Sequence, residues 1–526
     1  MGDKSFILRG MAKPESVEFE HPAGEPNGAV EAGMPKSEVD TFGGKIHVFW
    51  DPNAQVTALG PLTFFIEFLK TSGLWEQWVS DCPLEYKSRN SPKKEEILAT
   101  VLLSVLAGHK RYAHITALRG DSVMPRLLGV EQLRSEDSVR RAFTHASEEQ
   151  LTTWMDLHLD ASFAPLLAEP WILDVDATVK PLYGHQEEAR VGYNPAKPGR
   201  PSHAYQAMFI ASLRMVLNVD VTAGDQTAPC YARAGLWGWL DAREREQWPR
   251  LLRGDLAWGS EATMVEAESR KLAYLFKLKQ SQGVRDKIAK LAQQKDWRSA
   301  GDGWQGLEGH LQLEGWTRAR RILVLRRRLR EKLVVEEKDS GSGQSWLSGV
   351  EPGKGKEFFE YAVLVTSLQS KDFLMISQLY RDRAEAENIF DELKNQWGWT
   401  GYTTQDLKRS QLMARIVALV FNWWSLYSRL ALPDKHAEAT TSRPLFLHGV
   451  ARKTFHGGQT KLTITSNHGK AEAVMRTLAN ISELLSSFRQ DAEQFVQPKR
   501  WALLLRLIFK RFYERMGPKV RLPAIA

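Results

Sequence analysis

The chain is poor in cysteine: Cys82 and Cys230 are the only two in 526 residues. That excludes a disulfide framework and a cysteine-built zinc site, and it fits a reducing cytosol. Long apolar runs are missing too. None reaches the roughly 18 residues a membrane-crossing helix needs, so no membrane partner is expected. The N-terminal MGDKSFILRG has only a very short apolar segment, which argues against a secretory signal. No internal repeat is visible. Acidic residues are in deficit, 63 against 71 Lys and Arg, for a net charge of +8. A basic balance suits a polyanionic partner such as nucleic acid, although many basic proteins bind none. Tryptophan is plentiful, at 18 residues. Most of these belong in cores, and some could serve as stacking platforms for bases.

The length is too great for one ordinary core, so several domains are expected. Residues 1–40 are rich in Gly, Pro, Glu and Ser and read as a flexible tail. Residues 41–168 begin with a short strand-like run, KIHVFW, and then carry apolar residues at helical spacing. SEDSVRRAFTHASEEQ opens with a cap signal and continues helical. Lys110, Arg111, Arg119, Arg140 and Arg141 give this helical region a basic surface. Residues 169–295 alternate strand and helix, which predicts a mixed sheet. Residues 296–370 hold short apolar runs and a Gly/Ser-rich loop at 339–357, and read as a β-rich insertion. Residues 371–430 return to helix, and 431–526 read as a mainly helical C-terminal region for dimerisation or DNA binding. The fold class is therefore multidomain α+β, with a mixed-sheet core between helical flanks.

Three acidic positions stand out. In WILDVDATVK, strand alternation puts Asp174 and Asp176 on one face of an apolar strand, where a carboxylate must be paired, hydrogen-bonded or metal-bound. Asp255 in LLRGDLAWG lies where another apolar run ends. A Gly-Asp there is also a common turn. The third position is in LYRDRAEAENIFDELK. At helical phase Tyr380, Arg383, Glu387 and Lys394 share a stripe beside the apolar Ala386, Ile389, Phe390 and Leu393. Glu385 and Glu392 are expected to face solvent, and Asp391 is the rival of Glu387. An amphipathic helix with ordinary ion pairs would show the same acids.

The spacing Tyr-x2-Arg-x3-Glu-x6-Lys, with DVDAT and RGDLAWGS in order before it, resembles the DDE transposases of bacterial insertion sequences, the cut-and-paste group with a Tyr-Arg-Glu-Lys signature. YGHQEEARVGYNPAKPGRPSH and the helical LAGHKRYAHITALRGDSVMPRLLGV are similar to one branch of that group. The resemblance spans roughly residues 80–425. It implies an RNase H-like catalytic core, interrupted by the β-rich insertion before its last catalytic helix. It also implies that Asp176 (with Thr178 completing Asp-x-Thr), Asp255 and Glu387 are catalytic and bind two Mg²⁺ or Mn²⁺ ions per site. Asp174 becomes a neighbour that shapes the field. Tyr380, Arg383 and Lys394 would hold DNA near the cut.

The implied partners are double-stranded DNA, as terminal inverted repeats and as target, and a second copy in a paired-end complex. The implied location is the bacterial cytoplasm, at the nucleoid. A metal-dependent RNase H-like nuclease without strand transfer, and a non-catalytic DNA-binding derivative, are the rival readings. A hairpin route would need a Trp against a flipped base, for which Trp258, Trp304 and Trp316 are candidates. Other DNA contacts are expected from His185, Lys197 and Arg200, in a Pro-rich basic loop, and from Arg318, Arg320, Arg326 and Arg328 around a short apolar strand.

Overall fold

In a computed structural model, the described residues are 37–86, 88, 90–329, 359–370, 372–399, 401–465 and 469–516. Nearly all of the expected tail and the loop at 339–357 lie outside them. Two compact units divide the chain, Met1–Ala54 and Gln55–Ala526. The described part of the first is an antiparallel hairpin, β1 (Ser37–Thr41) and β2 (Gly44–Val48).

The second unit opens with a short strand, β3 (Val56–Thr57), and a helical layer. The SEDSVRRAFTHASEEQ stretch makes two helices rather than one. Ser135 caps Glu136–Ala142, and Ser147 starts Glu148–Phe163 with a capping box whose other half is Gln150. The second box satisfies helix-start N–H groups that a continuous helix would have no use for. These helices do not enclose a core of their own. Trp78 stacks on Trp154 with ring centroids 5.3 Å apart and meets Trp423 edge-on at 5.6 Å. Trp423 belongs to the helix Leu407–Ala431, which is buried along nearly its whole length, as an all-round apolar helix must be. That helix packs against both Glu148–Phe163 and the central sheet.

The sheet is built from β4 (Ile172–Pro181), β5 (Arg190–Val191), β6 (Pro201–Ile210), β7 (Met215–Ala223), β8 (Leu251–Gly254), β9 (Tyr274–Lys277), β10 (Arg298–Gly301), β11 (Trp304–Leu311), β12 (Arg320–Arg328) and β13 (Phe359–Thr366). β4, β6 and β7 form an antiparallel meander, with β5 added at the end of β6. β8 runs parallel to β4, and β9 parallel to β8. The four strands of the expected insertion then continue the same sheet, because β13 pairs antiparallel with β9 and leads outward through β12, β11 and β10. The insertion widens the core sheet instead of forming a layer beside it. β12 shows why: Ile322, Leu323, Val324 and Leu325 are all buried, so both faces of this strand are covered.

The C-terminal region is mainly helical, as expected, but it also contains a hairpin that the sequence reading did not include. β14 (Ala451–His456) and β15 (Gln459–Ile464) form a hairpin that pairs with β3. Helices Ala471–Asp491 and Gln497–Met516 follow. Among the described residues no helix is long and apolar enough to cross a membrane.

Candidate catalytic site

Parallel pairing of β4 with β8 sets the site. Asp174 lies opposite Arg253 and Val175 opposite Gly254, so Asp176 and Asp255 follow on adjacent strands at the same level. The two aspartates of DVDAT then divide sharply. Asp174 is wholly buried and takes a two-pronged contact from Arg253, Nε to Oδ1 at 2.8 Å and Nη2 to Oδ2 at 2.7 Å. Its charge is spent on holding two strands together. Asp176 lies one pleat further out, where β8 ends. Its Oδ1 accepts from the Ala177 N–H at 2.8 Å and its Oδ2 from Arg383 Nη2 at 2.5 Å. Asp255, where the chain leaves β8, accepts from the Ala257 N–H at 3.0 Å.

The third member comes from across the chain. A single helix over 380–394 is not formed. Phe373–Arg381 ends, Asp382 and Arg383 make a turn, and Ala384–Gln396 begins. Arg383, at that junction, is 5% exposed and reaches both Asp176 and, at 3.6 Å, Glu387 Oε1. Glu387 itself is 70% exposed. Ala386, Ile389 and Leu393 are buried, and Phe390 meets Phe209 of the sheet edge-on at 5.0 Å, so the expected apolar stripe docks as expected. Glu392 does not face solvent. It is 1% exposed and accepts from His436 Nε2 at 2.7 Å, Trp397 Nε1 at 3.1 Å and the Ala439 N–H at 3.0 Å. The helix Ala439–Phe446 covers this side. Glu385 is half-exposed and pairs with Arg214.

The electrostatics join these groups. Burial pushes the Asp176 carboxyl up to about 6. Arg383 pulls it down, and the negative charges of Asp255 and Glu387 push it up. Burial raises the Tyr380 phenol to about 12, so it remains a donor at neutral pH. Burial lowers the Lys394 ammonium, against the pull of Asp391 and Asp176. Asp176, Asp255, Glu387, Tyr380 and Arg383 thus sense one another, and Lys394 senses Asp176.

Hard carboxylate oxygens with mutual repulsion are a donor set that suits a divalent ion, and in that respect Asp176, Asp255 and Glu387 fit one. Among the described residues no three such side chains stand at ready-made metal spacing. Asp176 is instead paired with Arg383.

Several expected DNA contacts are located differently. Arg320 is 3% exposed and clamped between Glu261 and Glu268, so its guanidinium is not available to a phosphate. Arg318 pairs with Glu268 while remaining 61% exposed. Arg326 bonds Gln305 and lies over the Trp297 and Phe359 rings. Arg328 is exposed. Trp258 is 3% exposed and packs against Gly254, where even a Cβ would meet its side chain at 2.6 Å, so it cannot stack on a base. Trp316 packs against the core with Arg320 over its ring. Trp304, with Arg327 over its ring, is half-buried. His185 is exposed, and Lys197 and Arg200 both sit over the exposed Tyr183 ring, at 4.9 and 4.8 Å.

Similarity to known families gives the class of this protein. The family model "Transposase DDE domain group 1" matches residues 54–486. The chain belongs to this family and is a DDE transposase. Among solved structures, one titled "Cryo-EM structure of piggyBac transposase synaptic complex with hairpin DNA" is similar over 86% of this chain and 85% of that one, with 12% identity and a TM-score of 0.38. No curated protein matches the chain.

Proposed function

We propose that this transposase binds the terminal inverted repeats of a bacterial insertion sequence, cuts the DNA ends and joins them to a target. The observation that carries this reading is the placement of Asp176 and Asp255 on adjacent parallel strands, with Arg383 bridging Asp176 to Glu387. The catalytic core is read as RNase H-like on its strand pattern: a three-strand antiparallel meander whose first strand, β4, has the parallel β8 on its other side, with β9 parallel beyond it.

Asp176, Asp255 and Glu387 would hold Mg²⁺ or Mn²⁺, two ions per site. When bound, these ions lower the cost of the charge that develops on the attacking and leaving oxygens. Asp176 and Asp255 supply rigid ligands from strand ends. Glu387, on an exposed helix face, supplies the movable one. Arg383 must give up Asp176 for this to happen, and its guanidinium is then free to grip a phosphate of the same DNA. Tyr380 donates a hydrogen bond to that phosphate, and Lys394 adds charge at the rim.

In the first step water attacks the phosphodiester at the element end. The P–O3′ bond breaks and leaves a 3′-OH. In the second step that hydroxyl attacks a target phosphate and the target's own 3′ oxygen leaves. A hairpin route to the second strand is compatible with Trp304. The helical region within 41–168 and the C-terminal region 431–526 would contact the repeat sequence and a second protomer, since two ends must be held together. The protein would act in the cytoplasm, at the nucleoid.

The test is a cleavage and strand-transfer assay on the element's own ends. Wild type should cut, and should join pre-cut 3′-OH ends to a plasmid. Cutting without any joined product would reduce the protein to a nuclease. Cutting by Glu387→Gln at the wild-type rate would remove Glu387 from the site.

A further inference from the structure

The arginine-rich β12 is largely neutralised from within: Arg318, Arg320, Arg321 and Arg327 each face a glutamate. A different element carries cations in a stretch of sequence that has no acid of its own. Between Glu438 and Glu472 the sequence has no Asp or Glu at all, and the hairpin β14–β15 lies inside that stretch.

Cross-strand pairing sorts its side chains. Arg452, Thr454 and His456 share one face with their partners Thr463, Lys461 and Gln459, and all six are exposed. This face has no apolar and no acidic residue. The other face is seated at its root, where Ala451 is buried and a Cβ on Gly60 would meet it at 2.7 Å. The root is fixed further by backbone hydrogen bonds from Gly60 N to Gly449 O at 2.7 Å and from Lys453 N to Gln55 O at 2.8 Å. Gly457 and Gly458, at φ 58° and 73°, supply the two left-handed positions of a tight hairpin turn. Near the tip Phe455 is 72% exposed. The result is a stiff two-stranded ribbon, about 20 Å long at ordinary strand rise, standing out from a firm base.

We propose that the hairpin Ala451–Ile464 is a DNA-reading ribbon. It lies in the major groove of the element-end duplex with the Arg452–Thr454–His456 face against the base edges. The groove, roughly 12 Å wide, admits a two-stranded ribbon. Arginine, threonine and glutamine are side chains that read guanine, thymine and adenine there. Lys453, on the other face, and Lys461 at the free edge reach the phosphates on either side. An edge strand carrying charges merely to block aggregation would also be basic, but it would need no ordered polar face. The inference rests on the transposase reading above, which names duplex DNA as the partner.

The test compares full-length wild type with Arg452→Gln/Lys453→Gln/Lys461→Gln on an element-end duplex, a scrambled duplex and an RNA duplex, across a salt series. All three side chains are solvent-facing or half-buried, so circular dichroism and melting temperature should not move. The control Arg452→Lys/Lys453→Arg/Lys461→Arg should retain most of the affinity. The neutral variant should bind the element end about 10- to 100-fold more weakly near 0.15 M salt, with its log–log salt slope shallower by about 2 to 3. Wild-type affinity and slope in the neutral variant would overturn the inference, as would a loss confined to RNA. A wild type that binds no duplex DNA would instead sink the transposase reading itself.

Discussion

Two aspartates a single pleat apart are held in different ways. Asp174 is fully buried and paired with Arg253, itself 2% exposed. Removing one member of a buried ion pair leaves the other uncompensated, so Asp174→Ala should lower stability by about 3–5 kcal/mol, read as an earlier urea midpoint. Asp255→Asn touches only a turn N–H and should melt close to wild type while cutting at least ~100-fold more slowly. The reverse ranking would mean that the two motifs have been assigned to the wrong roles. Glu387→Gln and Asp391→Asn make the second residue-scale comparison. Asp391 lies on the same helix but hydrogen-bonds Asn395 at 2.7 Å instead of facing Arg383. Cleavage should collapse in the first variant and stay within a few-fold of wild type in the second. Alternation along DVDAT placed both aspartates on one face correctly. Arg253, 79 residues on, could be found only once the parallel register was known.

At the scale of elements, the strands and the docked apolar stripe of the Glu387 helix were legible because period-2 and period-3.6 patterns are local. Three things were not. Glu392 was read as solvent-facing because its cover, His436 and the Ala439 N–H, comes from a later helix. Arg320 was read as a phosphate contact because its acceptors, Glu261 and Glu268, lie on a helix some fifty residues earlier. The hairpin β14–β15 did have a local signal, Gly457-Gly458 between alternating runs, which a mainly helical reading of 431–526 passes over. The Arg320 clamp makes a pH prediction. Burial alone would raise the Glu268 carboxyl, but hydrogen bonds from Arg320, Arg318 and Tyr274 outweigh it and hold the group at about 2. A folded-state value below the unfolded one means that the stabilisation is fully present above the unfolded pKa, near 4.5. It is lost as pH falls from there towards 2. Urea midpoints measured from pH 6 to pH 3 should therefore fall less steeply in Glu268→Gln, which starts lower but has less to lose.

On the scale of the whole molecule, the proposed reading ribbon and the candidate carboxylates lie far apart in the chain but within one compact unit, Gln55–Ala526. The basic hairpin follows Glu387 in the chain and contains none of the three candidate carboxylates. A chelator should thus separate the two activities: EDTA should abolish cleavage and leave the affinity for an element-end duplex within a few-fold of its value in Mg²⁺. The same ion must also act on the fold. Held by the three carboxylates, it would displace Arg383 from Asp176 and relieve the repulsion that helps to push the Asp176 carboxyl up to about 6, and so would bind the folded chain and not the unfolded one. Free Mg²⁺ at a hundred times its dissociation constant adds about 2.7 kcal/mol, enough to raise the melting temperature by on the order of a few degrees. The rise should vanish in Asp176→Asn and in Asp255→Asn, and it should survive in Arg383→Gln with a lower Mg²⁺ concentration at half effect, because that variant has no guanidinium to displace. An unchanged or higher midpoint in Arg383→Gln would show that the arginine does not compete with the metal, and its contact with Asp176 would then be structural.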